Sequence, residues 1–119
     1  MVSIHLRLSK ESTNLMNKEK LEKMKAGAIL INTSRGAIVN ESDLVEALTK
    51  GTLAGAGLDV FNREPLAIDS PLRKLDNVIL TPHIGWTVEE VFEEFAQIAC
   101  TQLTEYLNGT LVKSELLSN

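Results

Sequence analysis

The chain has 119 residues, 44% of them hydrophobic and 24% charged, a composition that excludes a disordered segment and bounds the chain to one domain or less. A formal net charge of −4, with no basic block, argues against a nucleic-acid surface, and no apolar run reaches the roughly 18 residues of a membrane span. A lone cysteine, Cys100, cannot close an internal disulfide, so the chain reads as cytoplasmic and reduced.

Residues 2–6 ("VSIHL") form a short apolar run rich in β-branched residues and read as a strand. Asn17 caps a helix running to about Met24, which the Gly27 stop signal ends. Residues 28–32 read as a second strand. Asn40 then caps a helix over residues 41–50, with Glu41 and Asp43 in its first turn, where the helix dipole favours acids. Gly51 stops that helix, and residues 53–60 ("LAGAGLDV") form a third strand. A loop carrying Pro65 and Pro71 follows, then a fourth strand over residues 78–81. Thr87 and Glu90 have the spacing of a capping box. Beyond them Val88, Val91, Phe92, Phe95, Ile98, Ala99 and Leu103 recur at helical spacing, up to about Leu107 and the Gly109 stop.

Alternating strands and helices, with strands apolar throughout, predict an α/β fold: a parallel sheet with helices on both faces. Ligands of such sheets bind at the carboxyl ends of the strands. There the order of elements collects His5, then Thr33-Ser34-Arg35, then Asp59 and Glu64, then Thr81-Pro82-His83. Arg35 has the planar guanidinium that matches a carboxylate bidentately, and Gly36 beside it lets backbone come close; the plainer alternative is a surface arginine in a strand–helix turn. His83 is a natural general acid–base, or else a capping or core histidine. Glu64 could sit beside it, where a carboxylate favours the protonated imidazole, or be an ordinary loop acid. Asp59 could accept a ligand amide or cap its own loop. His5 reads more simply as a partly buried histidine than as a cofactor contact. "GAGLDV" lacks the third glycine and the helix of a dinucleotide fingerprint, and no metal-ligand spacing occurs.

"MKAGAILINTSRGAIVNESDLVEAL", "GTLAGAGLDVFNREPL" and "LDNVILTPHIGW" together resemble the NAD-dependent D-isomer-specific 2-hydroxyacid dehydrogenases, along residues 2–111. That resemblance implies a Rossmann-type sheet, NAD (with NADP not excluded) as cofactor, and a small 2-hydroxy or 2-oxo acid as substrate. Arg35 matches the residue that holds the substrate carboxylate, His83 the acid–base, and Glu64 the acid paired with it. Thr33, Ser34, Arg35, Asp59, His83 and Gly85 match positions along the cofactor. The related formate dehydrogenases carry Gln at the Glu64 position, which disfavours that branch. Arg7 stands where many members have proline, which alters the loop after His5.

The resemblance also implies that residues 1–111 are the C-terminal portion of the NAD-binding domain, with 112–119 as a tail. The Gly-rich cofactor half and the substrate domain are absent. The parent is then expected to be a homodimer, with no nucleic-acid or membrane partner. The isolated chain is expected to be nearly inert and to self-associate through its open sheet edge. A sedimentation profile independent of concentration would contradict that last expectation. A nucleotide-sensing corepressor of the same superfamily is the alternative, since fold does not set function. A receiver domain is excluded: it needs an acidic pair after the first strand and a lysine after the last, where this chain has "HLRLSKES" and Pro82-His83.

Overall fold

The computed structural model describes residues 1–110; the expected tail at 112–119 lies outside them. The chain divides into two compact units, Met1–Gly85 and Trp86–Asn119. In the first, four strands form one parallel sheet in chain order, β1 (Val2–Ile4), β2 (Ile29–Asn32), β3 (Gly55–Leu58) and β4 (Val78–Leu80). Two helices connect the first three strands, α1 (Lys18–Glu22) and α2 (Glu41–Thr49). Strands and helices fall where hydrophobic patterning places them, each somewhat shorter than read from the sequence.

The caps of α1 and α2 form as expected. Asn17 accepts a hydrogen bond from the Lys20 N–H, and Asn40 accepts one from the Asp43 N–H, each filling an orphan donor of a first helical turn. Gly27 and Gly51 end the two segments with φ of +76° and +71°, a conformation that costs glycine nothing.

Sheet register explains the core. Leu30 pairs with Ala56, and Ile4, Asn32, Leu58 and Leu80 form the next row. These rows bury Leu30, Ala56, Ile4 and Leu58 against Leu21 of α1 and Leu44, Ala47 and Leu48 of α2 in a single apolar cluster. The alternate row, Ser3, Ile31, Gly57 and Ile79, points to the opposite face, where Ile79 is 73% exposed. Helices on both faces are the sequence expectation. Within Met1–Gly85 the two helices share one face, because successive right-handed crossovers that advance in one direction along a sheet stay on the same side. A side chain at position 57 would meet the Ile31 Cδ1 at 2.9 Å, so glycine is what lets Ile31 lie across the neighbouring strand.

Two 3-10 turns are absent from the sequence reading, at Gly36–Ile38 and Pro71–Lys74. Each is a few residues long, too short for a periodic signal to develop. The second unit holds α3 (Glu89–Leu107), closed as expected by Gly109 at φ +70°. Its N-cap is Val88, not the Thr87 of the expected capping box, so the helix starts one residue later. Trp86 packs its ring 5.3 Å from that of Phe92. None of the α3 side chains is buried, and Cys100 is exposed.

Candidate active site

All the expected positions lie at or beyond the carboxyl ends of the strands. The ends of β3 and β4 are joined by a dense set of bonds. Asp59, the residue after β3, is buried and accepts from the Thr81 hydroxyl, from the Ile84 N–H at 2.9 Å and from the Gly85 N–H at 2.7 Å. Burial pushes its carboxyl up, but those three donors, with His83 nearby, outweigh it and hold the pKa below the ordinary aspartate value. Those three bonds take most of what a carboxylate can accept. Asp59 therefore holds not its own following loop, as the capping alternative had it, but the turn after β4 that carries His83.

His83 has φ +57°, a left-handed conformation in which histidine is among the better-tolerated residues. Its Nδ1 lies 2.7 Å from Oε2 of Glu64, and both side chains are about one-third exposed. The other Glu64 oxygen, Oε1, accepts the Phe61 N–H at 2.9 Å. The His83 hydrogen bond, then that from Phe61, holds the Glu64 carboxyl below its usual range, against a smaller opposing effect of burial. Glu64 is thus a fixed anion whose two oxygens are both engaged. With Nδ1 so occupied, Nε2 is the ring nitrogen left for a ligand. A hollow of about 490 Å3 adjoins the pair, lined by Phe61, Pro65, Leu66, Leu80 and Pro82, with Arg73 at its wall.

The second cluster follows β2. Thr33 is exposed, and the Ser34 hydroxyl donates to the Leu6 carbonyl, tying this stretch to the loop after β1. Arg35 is exposed in extended backbone, and its Nη1 donates to the Ser34 carbonyl at 2.7 Å. Among the described residues no carboxylate pairs with it. Arg35 makes no direct bond to Glu64 or His83. The link between the clusters is backbone: a Cβ at Gly36 would fall 2.0 Å from the Phe61 carbonyl carbon, so the two chains touch there. Gly85 closes the other side, where an added Cβ would meet Asp59 Oδ2 at 2.9 Å and Thr33 Cβ at 3.9 Å.

His5 corrects its expectation. It is exposed, not partly buried, and its Nε2 lies 2.8 Å from the Ser3 hydroxyl, because β1 ends at Ile4 and the next residue already leaves the core. Sequence reading gave no role to Asn32, which is 1% exposed, or to the Thr81 hydroxyl, though it placed Thr81 at the strand edge. Asn32 did carry a signal, as a polar residue closing an apolar strand. Among the described residues no cluster of His, Cys, Asp or Glu could hold a metal, and no helix is long and apolar enough to cross a membrane.

A parallel sheet whose carboxyl edge carries an arginine, a carboxylate–imidazole pair and close-packed glycine backbone is a Rossmann-type arrangement. Residues 1–85 match the family described as D-isomer specific 2-hydroxyacid dehydrogenase, NAD binding domain, and the chain belongs to that family. The glyoxylate reductase of Thermofilum pendens is 47% identical over 98% of this chain and 36% of its own length. The glyoxylate/hydroxypyruvate reductase B of Pectobacterium carotovorum is 51% identical over 89% of this chain and 33% of its own. The D-isomer specific 2-hydroxyacid dehydrogenase of Lactobacillus delbrueckii ssp. bulgaricus, solved in its NAD-complexed form, superposes with a TM-score of 0.79 at 32% identity. That superposition covers 90% of this chain and 36% of the dehydrogenase. The chain thus spans about a third of the relatives it matches.

Proposed function

We propose that this chain supplies the acid–base and substrate-clamp third of an oxidoreductase. The reaction transfers hydride between a nicotinamide cofactor and a small D-2-hydroxy or 2-oxo acid. The observation that carries the reading is the His83–Glu64 pair, 2.7 Å apart on the sheet edge where such folds take their ligands. NAD is the cofactor that the family match favours. The chain's own geometry fits it: Gly85 leaves no room for a side chain against Asp59, and exposed Thr33 stands beside it. Thr33, Ser34, Asp59 and Gly85 would hold the nicotinamide end.

When bound, the reduced cofactor supplies hydride to C2 of the oxo acid. Arg35 binds the substrate carboxylate through parallel N–H groups, a geometry lysine cannot reproduce. His83 then donates the Nε2 proton to the oxygen that becomes the hydroxyl. Glu64, on Nδ1, fixes the ring's orientation and leaves Nε2 for the substrate oxygen. In the oxidative direction the same nitrogen takes the proton back. Two reductase relatives favour glyoxylate or hydroxypyruvate as substrates.

A chimera tests this reading. This chain is grafted in place of the matching third of the Pectobacterium carotovorum reductase, and NADH oxidation by glyoxylate is followed. Turnover on the order of 1–1000 per second is expected, whereas the chain alone should be nearly inert. Arg35→Leu in the chimera should lower kcat/KM by about 10²–10⁴, the range for two charge-assisted hydrogen bonds of about 1.5–3 kcal/mol each. A folded chimera without turnover, or an Arg35→Leu variant as active as its parent, would defeat the proposal.

A further inference from the structure

We infer that Asn32 is a positioning residue for Arg35, acting through both ends of its side-chain amide; the inference rests on the substrate-clamp reading above. Asn32 ends β2 in the buried row with Ile4 and Leu58, and it is the polar member of that row. Its Oδ1 accepts the Ser34 N–H at 3.1 Å, and its Nδ2 donates to the Arg35 carbonyl at 3.0 Å. One planar group therefore brackets the ledge on either side of the Ser34–Arg35 peptide. A buried amide placed among apolar neighbours must find such partners or lose stability. Here it finds them only where the chain leaves the sheet.

The bracket matters because the ledge has few other ties: the Ile38 N–H to the Arg35 carbonyl at 3.3 Å and the Ser34 hydroxyl to the Leu6 carbonyl, neither of which reaches the Arg35 side chain. Its guanidinium reaches only the adjacent Ser34 carbonyl, so the direction of its Cα–Cβ bond is set by backbone alone. That backbone is extended at Arg35 (φ −146°, ψ 135°) and turns at Gly36 into the 3-10 segment. Gly36 in turn rests on the carbonyl group of Phe61, whose own N–H holds Glu64. Asn32 fixes one end of this chain of contacts and Glu64 the other. The distance from the clamp to the acid–base pair is then a property of the backbone.

The test uses the isotopically labelled reductase chimera with NADH bound and oxamate as the 2-oxo-acid mimic. Amide hydrogen exchange and the Arg35 Nε resonance are the two readouts. Asn32→Leu, similar in volume but without donor or acceptor, should speed exchange at the Ser34 amide at least tenfold. The β2–β3 ladder and the Phe61 amide should stay within about twofold, and Arg35 should lose its oxamate response. Asn32→Asp keeps the acceptor for Ser34 but replaces the donor to Arg35. It should therefore preserve Ser34 protection while still losing the Arg35 response, and it carries the test should the leucine variant fail to fold. Unchanged Ser34 exchange in Asn32→Leu, a simultaneous loss of ladder protection, or a wild-type Arg35 response in both variants would overturn the inference. A wild-type Arg35 indifferent to oxamate, with Ser34 still released by Asn32→Leu, would instead defeat the clamp reading and leave Asn32 as the holder of the ledge.

Discussion

Replacing His83 with asparagine in the reductase chimera is expected to lower kcat by about 10²–10⁴, the range for loss of a positioned general acid. Asparagine is the informative choice because His83 sits at φ +57°, and asparagine tolerates that left-handed backbone better than most residues. The turn should survive, since three hydrogen bonds from Thr81, Ile84 and Gly85 to Asp59 hold it independently of the imidazole. Asparagine can still donate to Glu64 but has no titratable proton to give. The KM for glyoxylate should therefore move only a few-fold, because the proposed mechanism gives the carboxylate to Arg35 and not to His83. Steady-state kinetics decide the matter: a kcat within threefold of the parent would remove His83 from the proton-transfer role.

Gly36→Ala is expected to destabilise Met1–Gly85 by about 3 kcal/mol or more, the upper end of overpacking effects. The added Cβ would lie 2.0 Å from the Phe61 carbonyl carbon, 2.2 Å from its oxygen and 2.6 Å from the Asn62 nitrogen. All three are backbone atoms, so no side-chain rotation relieves the clash. The ledge or the 61–64 loop must move, and either shift separates Arg35 from the Glu64–His83 pair. Gly51→Ala is a useful contrast. An added Cβ there meets nothing within 4 Å, and only the positive φ of +71° is strained. Urea unfolding followed by circular dichroism should rank Gly36→Ala well below Gly51→Ala in stability. Equal stabilities would show that the Gly36–Phe61 contact is not the tight one described.

Much of this architecture was legible before any coordinates. Asn17 and Asn40 announced two helices because a short side chain that accepts from a first-turn N–H has few other uses ahead of an apolar pattern. Continuous runs such as "AILIN" announced parallel strands, and the alternation of elements put Arg35, Glu64 and His83 at one edge. Thr87 misled by one residue: the helix N-cap is Val88, which has no capping side chain, so backbone geometry and not a cap–acid pair sets that start.

What the sequence determined by itself was the class of fold and the chemistry available at the strand ends. Both follow from local periodicity and residue type, which need no partner to be expressed. Only tertiary structure decided how that chemistry is joined. It placed Glu64 on His83 across 19 positions of chain, gave most of Asp59's acceptor capacity to the turn beneath His83, and set Asn32 and Gly36 as the two fixed points of the Arg35 ledge. Each of these depends on which backbone passes close to which, and that is fixed by the packing of the whole sheet, not by any neighbour in the chain.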